Sequence, residues 1–105
     1  MGTSLQIAYS DRFLQNFARL DRDSQMVVRE AVKLLAQNSK HPSLWTKKIQ
    51  GTRGIYEASA NMDLRMTWQY QGEGIILMRN CRHHDRTLKH PWNNNHQLKS
   101  VLENS

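Results

Sequence analysis

Leu64-Arg65-Met66-Thr67-Trp68-Gln69-Tyr70-Gln71-Gly72-Glu73-Gly74-Ile75-Ile76-Leu77-Met78 is the stretch whose reading decides the fold. Leu64, Met66, Trp68 and Tyr70 alternate with Arg65, Thr67 and Gln69, the period of a strand with one face on a core. Gln71-Gly72-Glu73-Gly74 is a hairpin signal. Beyond it, Ile75 to Met78 is apolar on both faces, as in a central strand, and the strand is expected to run to about Arg82. Arg79 falls out of this alternation. Upstream, residues 55–60 predict another strand, turned by Asn61-Met62-Asp63. Three strands in close succession imply a mostly antiparallel sheet.

Working outward, residues 5–9 alternate apolar and polar and predict a short strand. Ser10 or Asp11 can cap a helix carrying Phe13, Leu14, Phe17 and Leu20 at three-and-four spacing. The run from Asp21 to Ser24 breaks it, and Asp23 or Ser24 starts a second helix. Val27, Val28, Ala31, Val32, Leu34 and Leu35 give that helix one wide apolar stripe. Two helices joined by a tight break form an antiparallel αα-hairpin. Between Gln37 and Thr52 turn formers and cations dominate, so a loop is expected, with Trp45 and Ile49 anchoring it on the core. The order β-α-α-β-β-β defines an α+β fold with the helical pair on one face of the sheet and an open, polar, basic face opposite.

At 105 residues the chain makes one domain. Fifteen Lys and Arg against nine Asp and Glu give a net charge of +6. Such an excess favours polyanions or acidic proteins as partners. No stretch approaches a membrane span and no signal-peptide core opens the chain, so cytoplasmic residence is expected and a membrane partner is not. The one cysteine, Cys81, excludes an internal disulfide and a multi-cysteine zinc site, and its apolar strand predicts a buried small hydrophobe.

Strand alternation lists the polar face: Glu57, Ser59, Arg65, Thr67, Gln69 and, at the end, His84. His41, Lys47, Lys48 and Arg53 from the loop are expected around the same concavity. Arg82, Arg86, Lys89 and His90 crowd the end near His84. One imidazole, one strand guanidinium and several cations are the parts of metal-free RNA cleavage. A base takes the proton of a ribose 2′-OH, cations stabilise the phosphorane, and an acid protonates the leaving 5′-oxygen. The bland alternatives are solvated surface charges for Arg65, Lys47 and Lys48. His83 and His84 with Asp85 or His90 would make a poor metal site, because neighbouring strand residues point to opposite faces. No metal or organic cofactor is implied. The tryptophans and Tyr56 read as core, with Trp92 in the polar tail the exception that can stack on bases.

Residues 51–91, above all Tyr56-Glu57-Ala58-Ser59, Arg65 and His84-Asp85 with Leu88 and Pro91, resemble the RelE/ParE toxin superfamily, and its YafQ-like members most closely. The resemblance implies a RelE-like fold over residues 1–91. Residues 92–105 are then a C-terminal tail in which Gln97–Glu103 predicts a short helix. It also implies the toxin of a type II toxin–antitoxin module acting as a ribosome-dependent mRNA endonuclease. An acidic antitoxin, mRNA and the ribosome are the implied partners, with operator DNA reached only through the antitoxin complex. Arg65 matches the family's phosphate-binding strand arginine and His84 its general acid or base. Asp85 accompanies His84, and His90 lies near another active-site position. Lys47 and Lys48 fall in the loop where relatives touch RNA. Two departures stand out: Glu57 and Ser59 replace catalytic lysines of some RelE-type enzymes, and Arg82 replaces a glycine. A ParE-like gyrase-binding toxin and a catalytically inactive, antitoxin-binding relative are the alternative functions.

Overall fold

The strand Ile75–His83 (β5) is the axis around which the fold is assembled. In the computed structural model, which describes residues 4–84, β5 has the strand Leu64–Gly72 (β4) antiparallel on one side. On its other side lies Gln6–Tyr9 (β1), parallel, with Gln6 opposite Ile75 and Tyr9 opposite Met78. Ile55–Ser59 (β3) pairs antiparallel with β4, and the two-residue strand Lys47–Lys48 (β2) pairs antiparallel with β3. The sheet order is β1-β5-β4-β3-β2. A central β5 explains its apolar start, since Ile76 and Met78 are fully buried.

Two helices cross between β1 and the rest of the sheet. The first, Asp11–Arg19 (α1), begins where Ser10 Oγ accepts a hydrogen bond from the Phe13 N–H at 3.0 Å. The same hydroxyl donates to the Arg79 carbonyl at 2.7 Å, tying the helix start to β5. The second helix, Arg22–Gln37 (α2), starts earlier than the sequence suggested. Asp21 is its N-cap, accepting from the Ser24 N–H at 2.7 Å, so Asp23 and Ser24 lie inside the first turn. That hydrogen bonding to Ser24 holds the Asp21 carboxyl below its usual range, with the charge of His83 a smaller contribution. Phe13, Val28, Ala31, Val32 and Leu35 from the helices pack with Leu64, Met66, Trp68, Ile76, Met78 and Cys81 of the sheet. The expected α+β architecture, an αα-hairpin against an antiparallel-rich sheet, is the observed one.

Three details differ from the sequence reading. The segment expected to be a loop contains β2 and a 3₁₀ helix, Pro42–Leu44. The loop is anchored by Leu44, which is 1% exposed, while Trp45 stands 77% exposed. A chain turning through one 3₁₀ step can send only one of two adjacent apolar side chains inward. Arg79 has its explanation in a β-bulge: Thr67 pairs with Asn80 and Trp68 with Met78, leaving Arg79 as the extra residue of β5.

Candidate functional site

The turn Asn61-Met62-Asp63 between β3 and β4 organises one end of the sheet. Asn61 Oδ1 accepts from the N–H groups of Asp63 and Leu64, both at 2.8 Å, which closes the turn with a side chain. Its carbonyls then face outward as acceptors. Arg65 Nη1 donates to the carbonyls of Asn61 at 2.7 Å, Met62 at 3.1 Å and Leu64 at 3.2 Å. From the far side, the His84 N–H donates to the Asp63 carbonyl at 2.6 Å. The Arg65 side chain and the His84 backbone are therefore held by the same turn.

Both line one hollow of about 640 Å³ together with Ser43, Trp45, Lys47, Glu57, Ser59, Asn61 and Met62. Register accounts for the grouping. Ser59 lies directly opposite Arg65, and Arg65 opposite Arg82, so the three share one face in a cross-strand row. Lys47 is opposite Glu57 in the next row. The Lys47 ammonium sits 3.6 Å from the Glu57 carboxylate, which is the more buried partner at 15% side-chain exposure. Among the described residues Glu57 is the one carboxylate lining this hollow. Two guanidinium stems side by side on a ladder repel, unlike most cross-strand pairs. Arg82 Nε is buried without a hydrogen-bond partner among the described residues.

The sequence-predicted residues are not all brought together. His84, Arg65 and Lys47 share the hollow, and Arg82 flanks it across the ladder. His41 and Lys48 do not join them. They line a second hollow of about 580 Å³ with Lys40, Tyr56, Trp68 and Tyr70, because Lys48 pairs with Tyr56 and alternation turns it to the other face. His41 is engaged as the N-cap of the 3₁₀ helix, its Nδ1 meeting the Ser43 N–H at 3.2 Å and the Ser43 hydroxyl at 2.8 Å. Arg53 is exposed in the turn between Gly51 and Gly54 and lines neither hollow. Thr67, expected on the open polar face, is 2% exposed. His83 lies opposite Leu64, the core-facing register, and not in the hollow. Asp85, Arg86, Lys89, His90 and the tail at 92–105 lie outside the described residues.

Trp45 is the residue the sequence reading misplaced. It lines both hollows and adopts the left-handed backbone conformation, φ 49° and ψ 44°. A bulky L-residue pays about 1–2 kcal/mol for that conformation. Hydrophobicity alone does not separate Leu44 from Trp45 in Pro42-Ser43-Leu44-Trp45; burial of Leu44 leaves its neighbour outside.

The sheet order and the helical pair match the fold of solved RelE- and YoeB/ParE-type toxin structures. The archaeal RelE of the RelE–RelB complex from Pyrococcus horikoshii OT3 superposes with a TM-score of 0.66 at 14% identity, over 80% of this chain and 99% of that one. A YoeB/ParE toxin from Agrobacterium tumefaciens gives 0.66 at 12% identity, over 77% and 100%. The isolated E. coli RelE toxin gives 0.65 at 11% identity, over 93% and 99%. No protein-family model and no curated protein matches the chain.

Proposed function

We propose that the protein is the toxin of a type II toxin–antitoxin module, of the YafQ-like kind, and that it cuts ribosome-bound mRNA at the hollow under the β3–β4 turn. The observation that carries this reading is the joint tethering of Arg65 and His84 to one turn, with Glu57 and Lys47 on the same walls.

The chemistry follows from what each group offers. The three hydrogen bonds of Arg65, two to the turn and one to the Leu64 carbonyl of β4, all use Nη1, which leaves the Nε–Nη2 edge of the fork to grip a phosphate. Arg82, directly opposite, adds the second positive charge, and an anion between them relieves their repulsion. With the phosphate held, a carboxylate and an imidazole supply the two proton transfers of RNA cleavage. Glu57 accepts the proton of the ribose 2′-OH as that oxygen attacks phosphorus. His84 donates a proton to the departing 5′-oxygen, so that a cyclic phosphate and a free 5′-hydroxyl result. Charge on the phosphorane is met by Arg65 and Arg82. The step needs no metal. Lys47, 3.6 Å from the Glu57 carboxylate, adds attraction for RNA, while the excess of cations suits an acidic antitoxin as the neutralising partner.

The test is cell-free translation with wild type, His84→Ala, Arg65→Ala and Glu57→Gln, scored by mapping cut messages. Loss of His84 or Glu57 is expected to slow cleavage by about 10²–10⁴-fold. Equal cutting by all four proteins would remove the mechanism. Intact message with inhibited DNA supercoiling would replace it with the gyrase-binding reading.

A further inference from the structure

We propose that Trp45 is a stacking platform for the nucleobase next to the phosphate gripped at Arg65, and that the RNA strand passes over it from the first hollow into the second. The proposal rests on the RNA-cleaving reading above and deepens it by naming how the base beside the cut is held.

Four observations meet at this residue. Trp45 is 77% exposed, although an indole of this size ordinarily hides most of its surface. Its backbone is left-handed, and a bulky residue in that conformation persists only where neighbours impose it. Here they do. Leu44 is buried immediately before it, the Trp45 N–H donates to the Pro42 carbonyl at 3.2 Å, and β2 begins two residues later. The ring is thus presented to solvent from a backbone that its neighbours hold in place. Finally, Trp45 contributes to the walls of both hollows, together with Lys47.

The surroundings select the occupant. An exposed aromatic ringed by apolar side chains would suit a protein partner. Trp45 shares its hollows with Met62, Tyr56 and Tyr70, but also with the cations Lys40, Lys47 and Lys48. A π-face between cations that can reach successive phosphates is the pattern of single-stranded nucleic acid binding. Stacking is tolerant of base identity but stronger for purines, whose larger face overlaps more of an indole. The platform therefore favours a purine beside the scissile phosphate.

The experiment uses the full chain and a short 2′-O-methyl RNA, which cannot be cut because the attacking hydroxyl is blocked. 2-Aminopurine, whose fluorescence is quenched by stacking, is placed at successive positions, and the oligomer is tested free and as message on ribosomes. Wild type and Trp45→Phe are expected to quench one position. Trp45→Asn, which tolerates the left-handed backbone but has no ring, is expected to lose the quench and bind about 5–150-fold more weakly. In cleavage of unblocked message, Trp45→Asn raises KM and flattens the purine preference with little change in kcat. His84→Ala slows cutting by about 10²–10⁴-fold but keeps the quench, so normal cutting by His84→Ala would sink the catalytic reading and leave the platform standing. Wild-type quenching and affinity in Trp45→Asn would overturn the platform. So would absence of any quench by wild type in both settings, or a defect confined to binding a protein partner.

Discussion

Cys81 is where burial alone decides what a residue can do. The side chain is fully enclosed, its Sγ 3.8 Å from the Phe13 carbonyl, and burial pushes the thiol from its ordinary 9.0 up to about 12. A thiol that stays protonated is a poor nucleophile. The native chain is therefore expected to leave it unreacted with an aromatic disulfide reagent near neutral pH, and denaturant to release it; prompt reaction of the folded protein would contradict the packing. The linkage has a definite sign. The folded pKa is raised, so this contribution to stability is complete below the unfolded value of 9.0 and is lost as pH climbs from there through about 12. Denaturant unfolding of wild type should weaken over that window by no more than about 1.4 kcal/mol for each pH unit, relative to Cys81→Ala. Asp21 has the opposite sign. Its carboxyl is depressed, so its stabilisation is present above 3.8 and lost as pH falls.

At the level of elements, the β3–β4 turn matters more than its length suggests. Asn61 shapes it, Arg65 reads its carbonyls and His84 hangs from Asp63. Asn61→Ala removes the side-chain acceptor without touching either Arg65 or His84, the groups of the proposed mechanism. Displacing a positioned group by about 1 Å can cost about 10²-fold in rate, so this variant should lose cleavage of that order while its thermal midpoint changes little. A variant as active as wild type would show that the turn is incidental. The strands meeting there were legible in sequence because their alternation is set by burial, a property each side chain carries with it. The bulge at Arg79 was legible only as a misfit, since a bulge exists in the register between two strands. The strand Lys47–Lys48 gave no apolar signal at all; pairing with Tyr56 and Glu57 creates it. For the same reason His41 and Lys48 were expected beside Arg65 and His84 but line the other hollow, since an edge strand's faces follow from its pairing. Trp45 was misjudged because hydrophobicity says that a ring prefers burial, not which of two neighbours the backbone admits.

For the whole molecule, a net charge of +6 sets the conditions under which any RNA contact operates. Cations that neutralise phosphates release counterions, so affinity for single-stranded RNA should fall linearly in log–log plots against salt. The expected slope is about −0.7 for each phosphate engaged. Titrating a non-cleavable oligomer across salt concentrations measures it, and Lys47→Ala or Arg82→Ala should each make the slope shallower by about that amount. A slope near zero would mean that the basic surface faces something other than a phosphate chain.

The parallel pairing of β1 with β5 has one more consequence, in the timing of synthesis. Ser10 and the carbonyl it grips on Arg79 are 69 positions apart, so the first strand made waits for the last before it has a neighbour. A nascent polypeptide halted before Ile75 holds Glu57 and Arg65 but not yet His84. Contacts between such remote partners form slowly. Under the proposed mechanism, a partly translated copy lacks the acid that its cut requires until β5 and the residue after it are made.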